Sequence, residues 1–193
     1  MRTSSVDALA QGHALSMDWA KQAAIVIGGS LFVALCARVT IPLPFTPVPL
    51  TLQNFAVLVL GLTLGGRRGF AALALYLAEG AAGLPVFNPT GAGGIRQLLG
   101  PTGGFLVAYP LVAGCTGFVF ERGSRTFARA TWAGILGEIV LFAGGISWLA
   151  VLTQSITRAI RFGLYGFVFA EVMKVTFAAA VAVRVHRSNK VQP

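Results

Sequence analysis

Thr131-Trp-Ala-Gly-Ile-Leu-Gly-Glu138-Ile-Val-Leu-Phe-Ala-Gly-Gly-Ile-Ser-Trp148-Leu-Ala-Val-Leu152 is the stretch on which the reading of this chain turns. A bilayer-crossing helix needs ~20 predominantly apolar residues, and this run supplies them around a single charge. Further apolar runs at 24–41, 50–64, 69–84, 104–120 and 162–183 bring the candidate spans to six. The second and third are short, with only Gly65-Gly66-Arg67-Arg68 between them. They read as a tight helical hairpin with a basic tip, because one merged segment would put two adjacent arginines in hydrocarbon. The expected architecture is an all-α membrane protein, a compact bundle of six transmembrane helices.

Composition agrees with that reading. Of 193 residues 55% are hydrophobic and 11% charged, against ~25% charged in an ordinary soluble domain, and mean hydropathy is +0.76. Such a chain lacks the polar coat of a cytosolic enzyme domain. It is equally unlike a disordered chain or a disulfide-stapled secreted module. Cys36 and Cys115 each sit alone in an apolar run, as small core residues do. The net charge of +9 does not point to nucleic acid, since no basic stripe lies outside the apolar spans.

The basic residues orient the chain instead. With the N-terminus inside, the cytoplasmic segments collect Arg2, Lys21, Arg67, Arg68, Arg122, Arg125, Arg129, Arg184, Arg187 and Lys190, leaving Arg38, Arg96, Arg158, Arg161 and Lys174 outside or in the spans. Both termini are therefore expected in the cytoplasm. Residues 1–20 form a polar cytoplasmic segment without the features of a signal peptide, 21–187 the transmembrane domain, and 188–193 a cytoplasmic tail. Trp132 and Trp148, towards opposite ends of the fifth span, read as interface anchors.

Two connections differ from simple loops. Residues 42–49 carry four prolines among apolar residues, so they cannot be helical and yet are too apolar for water. Residues 84–104 hold Pro85, Pro89 and Pro101 with a run of glycines. Irregular backbone near membrane depth is tolerated where protein buries it or a cavity receives it. Both lie on the outer side in this topology and are expected to form a lid over a cavity.

The strongest chemical signal is Glu171-Val-Met-Lys174, whose i, i+3 spacing puts acid and ammonium on one helix face. Each charge in a span costs at least a few kcal/mol unless paired or solvated. Either the pair stitches two helices together or it anchors a polar solute. Glu79, near the outer end of its span, reads as reaching the interface, and Glu138 as pairing with an arginine from a neighbour. Arg38 reads as snorkelling to water, and Arg96 either as solvated loop charge or as an attractor of anions. Gln53 and Asn54 open the second span, where a buried amide serves equally a neutral polar ligand group or the helix start. Asn88 has the same two readings. Ser30 and Ala34, small residues at i and i+4, allow close approach of another helix.

The chain contains no P-loop sequence for binding ATP, no dinucleotide fingerprint at Gly91-Ala-Gly93-Gly94, and no His-Glu-x-x-His. Its two histidines lie near opposite termini. No catalytic residue, metal site or cofactor is expected, and the chain does not read as an enzyme.

Pro42-Leu-Pro-Phe-Thr-Pro-Val-Pro-Leu-Thr-Leu-Gln53, Gly83-Leu-Pro-Val-Phe87 and Leu99-Gly-Pro-Thr-Gly-Gly-Phe105, in this order and spacing, closely resemble the BioY family. These are the biotin-specific substrate-binding (S) components of energy-coupling factor (ECF) transporters. The resemblance covers roughly residues 24–184. It implies a compact six-helix S-component fold in the cell (inner) membrane, with biotin as ligand near the outer face. Uptake would be driven by a separate transmembrane coupling subunit and ATPase subunits. The sixth span of the family carries an acid three residues before a lysine, usually Asp. Here the pair is Glu171 and Lys174, and the extra methylene of Glu shifts the carboxylate by about one bond. Gln53, Asn88 and Thr102 of the Gly-Pro-Thr-Gly-Gly motif join them as implied substrate-binding residues. Ser30 and Ala34 resemble the surface that S components turn towards their coupling subunit. An S component for another vitamin is the alternative.

Overall fold

The computed structural model describes the backbone of residues 5–188 and side chains from Asp18 onward. Helix α1 runs over Ser5–Ala37, so the backbone of the lead-in from residue 5 is helical and continuous with the first span. Residues 1–4, and 189–193 of the expected tail, lie outside the described residues. After α1 the chain turns into β1 (Thr40–Ile41), which pairs antiparallel with β2 (Leu50–Thr51) in the register Thr40↔Thr51 and Ile41↔Leu50. The proline loop 42–49 is the connection between these strands. It folds back over the protein as expected: the Thr46 hydroxyl donates to the Phe162 carbonyl at 2.6 Å, and Val48 is buried.

Helix α2 (Gln53–Leu64) and helix α3 (Gly66–Ala81) are joined by Gly65 alone. This corrects the expected hairpin tip, because Arg67 and Arg68 belong to the first turn of α3. Gly65 has φ +85°, and a Cβ there would lie 1.8 Å from the Glu121 carboxylate. The backbone conformation favours glycine, and any side chain there would also have to displace the Glu121 carboxylate. Glu121 in turn accepts from the Gly66 amide at 3.2 Å. A short helix α4 (Gly94–Leu98) interrupts the 84–104 connection, which corrects the expectation that no helix follows the glycine run Gly91-Ala-Gly93-Gly94. Helices α5 (Gly103–Glu121), α6 (Phe127–Thr153), α7 (Ile156–Gly163) and α8 (Val168–Ser188) complete the bundle. The expected sixth span starting at Phe162 is thus two helices, α7 and α8, bent by 51° across residues 164–167.

Among the described residues three helical segments, Asp18–Ala37, Gly103–Glu121 and Phe127–Thr153, are long and apolar enough to cross a membrane, or four with the bent pair α7–α8. Six membrane-length helices are therefore not what the lengths give. At 1.5 Å per residue α2 spans about 18 Å, well short of a ~30 Å hydrocarbon core. Its surroundings explain this. Nine of its 12 residues are buried by the rest of the protein, whereas α1, α5, α6 and α8 expose Leu31, Leu35, Val107, Leu111, Ile139 and Phe177. The helices facing outward carry the bilayer-length apolar surface, and α2 is a core helix packed among them.

Close packing rests on glycine. A Cβ on Gly117 of α5 would fall 2.3 Å from the Gly66 amide nitrogen and 2.6 Å from the Gly61 carbonyl. One on Gly61 would fall 2.7 Å from the Ala113 carbonyl, and one on Gly104 2.5 Å from the Gly144 carbonyl. Backbones thus approach as they do at small-residue interfaces in membranes. Trp148, read as a lipid-interface anchor, is instead half-buried beside Gly104, and its indole donates to the Gly100 carbonyl at 2.9 Å. Trp132 is exposed.

Gly117→Ala is expected to destabilise the protein by about 2–3 kcal/mol, because the methyl meets backbone that cannot move aside. Gly28→Ala, where a Cβ meets nothing within 4 Å, should be neutral or stabilising by up to about 1 kcal/mol. Thermal unfolding of the detergent-solubilised variants checks the contrast, and equal melting temperatures would contradict the seam.

Candidate functional site

Helix α2 begins where β2 ends, so its first residues point from the strand pair into the middle of the bundle. Gln53 and Asn54 therefore face inward, 1% and 3% exposed. They line a cavity between the proline loop, the 84–104 connection, the N-terminal parts of α5 and α8, and the middle of α6. Every expected substrate-binding residue, Gln53, Asn88, Thr102, Glu171 and Lys174, lines this same cavity. Its apolar wall includes Val48 and Pro49 of the proline loop with Phe105, Leu106, Leu141 and Phe167. The combination of apolar walls with a few convergent polar groups is that of a small-molecule site.

The polar groups form one network. Lys174 Nζ lies 2.7 Å from Glu171 Oε1, as the i, i+3 spacing predicts. The Asn54 side-chain amide donates to Glu171 Oε2 and also to Glu138 Oε1, each at 2.6 Å. Glu138, expected to meet an arginine, instead shares an amide with a second acid, and it is buried along with Glu171. The chain thus sets two carboxylates and one ammonium around a single asparagine, away from bulk water. Asn54 is the residue whose importance sequence understated. The two adjacent amides of Gln53-Asn54 were the visible signal, but which acids they would meet depends on how α2 packs against α6 and α8.

A second chain of hydrogen bonds ties the start of α2 to the 84–104 connection. Gln53 Nε2 donates to the Tyr76 hydroxyl, which donates to the Val86 carbonyl at 3.1 Å. Phe87 packs edge-on against the Tyr76 ring with centroids 5.4 Å apart, seated where a Cβ on Gly80 would lie 2.1 Å from its ring. Asn88, next along, is buried with Oδ1 accepting from the Thr90 hydroxyl at 2.8 Å. Tyr76 and Tyr109, the latter lining the cavity, were missed in the sequence because a lone tyrosine in an apolar helix carries no spacing signal.

Other expected residues lie elsewhere. Ser30 is fully buried and its hydroxyl donates to the Glu79 carboxylate. Ser30 therefore belongs to the α1–α3 contact inside this chain and is not on a free surface, while Ala34, one turn on, is half-buried. Glu79 is held by that bond and does not simply reach out to the interface. Arg38 donates to the Pro85 carbonyl, tying α1 to the second connection. Arg96 is exposed, in an adjoining cleft that shares Pro49, Asn88 and Thr102 with the cavity. Among the described residues no group of three or more His, Cys, Asp or Glu is placed to hold a metal ion.

Comparison with known proteins gives consistent results. The family model described as the BioY family matches residues 4–191. Over 163 residues the chain is 36% identical to the biotin transporter BioY of Thermotoga maritima, an alignment covering 84% of this chain and 95% of that one. Over 159 residues it is 37% identical to the biotin transporter BioY of Rhizobium etli, covering 78% and 84%. Its fold resembles a 2.1 Å crystal structure of the S-component for biotin from an ECF-type ABC transporter. There the TM-score is 0.79 at 24% identity, over 88% of this chain and 93% of the other.

Removing one member of a buried ion pair costs about 3–5 kcal/mol, whereas replacing both members with neutral groups is close to neutral. Lys174→Met should therefore lower the melting temperature strongly, and the double variant Lys174→Met/Glu171→Gln should recover most of the loss. A double variant no more stable than Lys174→Met would contradict the pairing.

Proposed function

The chain belongs to the BioY family, and from that premise we propose that it is the membrane-embedded subunit that captures biotin with high affinity for uptake. The observation that carries the proposal is the convergence of Gln53, Asn88, Thr102, Glu171 and Lys174 on one cavity. Biotin has three chemical parts: an apolar fused bicycle, a ureido group that both donates and accepts hydrogen bonds, and a carboxylate on a flexible chain. The phenylalanine, leucine and valine side chains suit the first, the amides the second and the ammonium the third. The names of its relatives, biotin transporters, favour biotin over another vitamin.

The chain binds and delivers, and separate ATPase subunits and a transmembrane coupling subunit supply the energy. The assignment of partners is supported by fold likeness to the biotin S-component of an ECF-type transporter. The surface for the coupling subunit is assigned to the outward face of α1 around Ala34, with Ser30 acting beneath it through its bond to Glu79. We place the protein in the cell (inner) membrane with both termini cytoplasmic, residues 21–187 forming one six-helix unit that includes the encased α2 and the shorter α3. Two contacts support this orientation. Glu121 meets Gly66, and His186 meets the Leu62 carbonyl, at the end that carries Arg67, Arg68, Arg122, Arg125, Arg184 and Arg187. The cavity lies towards the other end, under the two outer connections.

Calorimetric titration of the purified protein with biotin and with thiamin tests the reading. Saturable heat with biotin and none with thiamin is the expected result. Thiamin binding as tight as biotin, or no binding of biotin by folded protein, would overturn it.

A further inference from the structure

We infer that Glu138 is a proton-binding site, held within α6 as a neutral carboxylic acid whose Oε2 proton is donated to Asn54 Oδ1. The pairing is that of a carboxylic acid with a primary amide, two hydrogen bonds closing one ring. It does not depend on which solute the cavity takes.

The argument starts from charge. Lys174 Nζ lies 2.7 Å from Glu171 Oε1, the one ion pair among the described residues. Glu171 is thereby balanced, and its other oxygen accepts from Asn54 at 2.6 Å. Glu138 has no such cation. It is 7% exposed, in a helix long and apolar enough to cross a membrane. Its Oε1 accepts from the same Asn54 nitrogen at 2.6 Å, and its Oε2 is buried without a donor. The groove on its other flank, between α6 and α8, is walled by Ile135, Ile139, Val172 and Val175. The two hydroxyls that line this groove, Thr131 and Thr176, are spent on the Phe127 and Val172 carbonyls. A carboxylate without a cation in such surroundings takes up a proton rather than bear the loss of hydration.

Hydrogen-bond counting gives that proton a place. Asn54 Oδ1 is a second buried acceptor without a donor. A carboxylate cannot relieve it, but a carboxylic acid has one O–H to give. The Asn54 nitrogen already holds Glu138 Oε1, so the atoms left over on the amide and on the acid are the two orphans. One proton on Oε2 satisfies both. Glu171 is the wrong place for it, because both of its oxygens already accept and protonation there would undo the bond to the Lys174 ammonium.

The titratable groups facing Glu138 are Glu171 and Lys174 of α8 and Tyr109 of α5, while α2 offers only the uncharged Asn54. With the proton in place, Glu138, Glu171 and Lys174 sum to zero charge. An ionised Glu138 would instead set a net negative charge beside the cavity, where it would repel an anionic solute.

Infrared spectroscopy of the purified protein at neutral pH tests the inference. Wild-type protein should show the C=O stretch of a buried protonated carboxylic acid, and Glu138→Gln should fold and lack it, since glutamine also presents one donor and one acceptor to the Asn54 amide. Linkage supplies a second readout. A native state that keeps a proton the unfolded chain releases loses stability as pH rises, by about tenfold in the folding equilibrium per pH unit until the site ionises. Denaturation measured from mildly acid to alkaline pH should show this slope in wild-type protein in excess of Glu138→Gln. Lys174 and Tyr109 titrate in both proteins and cancel in the comparison. Absence of the band in wild-type protein, a measurement that needs no variant, would overturn the inference and leave Glu138 ionised. A band that persists in folded Glu138→Gln would overturn it by placing the proton elsewhere, and equal pH slopes would do the same. A Glu138→Gln chain that cannot fold counts against it as well, because a neutral acid is replaceable by its neutral isostere.

Discussion

The approach of α5 to the α2–α3 hairpin depends on side chains that are absent. Gly61, Gly65, Gly66 and Gly117 each stand where a Cβ would meet backbone or the Glu121 carboxylate at less than 3 Å. In lipid no hydrophobic drive presses helices together, so association relies on close van der Waals contact, and close contact relies on small residues. That seam brings α2 into the centre of the bundle. Once α2 is central, Asn54 faces α6 and α8, where Glu138 and Glu171 accept from its amide. The position of the site follows from the packing of the other end.

Polar residues inside a membrane protein have to be satisfied internally or by a ligand. Most here are. Both Glu171 oxygens have donors, Ser30 meets Glu79, and Thr116 bonds back to the Val112 carbonyl. The unpartnered buried side-chain atoms are Asn54 Oδ1, Glu138 Oε2 and Gln97 Nε2 among the described residues. The first two belong to the network at the inner end of the cavity. Two of the three unpartnered atoms thus lie in one network, and Gln97 Nε2 in α4 is the exception.

Much of this was legible in the sequence, for identifiable reasons. Apolar runs and proline clusters are one-dimensional signals, so the all-helical membrane class and the two irregular connections could be read directly. Glu171 and Lys174 are an i, i+3 pair, a spacing that one helix settles by itself. Partners across helices were not readable. Nothing at Glu138 announces an asparagine 84 positions earlier, and nothing at Gln53 announces Tyr76. The same limit applies to Ser30, whose spacing announces close helix contact but not the Glu79 carboxylate of α3 that its hydroxyl meets. Helix breaks were also hidden. The hydropathy of residues 156–188 is that of one long span, whereas the structure bends it by 51°.

The encasement of α2 has a consequence for how the protein meets membranes of different thickness. Mismatch between an apolar stretch and the surrounding lipid is relieved by tilting, by stretching or thinning the bilayer, or by snorkelling, each at modest cost. Those adjustments act on surfaces that touch acyl chains, and in this protein such surfaces belong mainly to α1, α5, α6 and α8. Gln53 and Asn54 of α2 are buried behind those helices. Lipid composition can change how the outer helices sit with little direct purchase on α2, which feels the bilayer only through its neighbours.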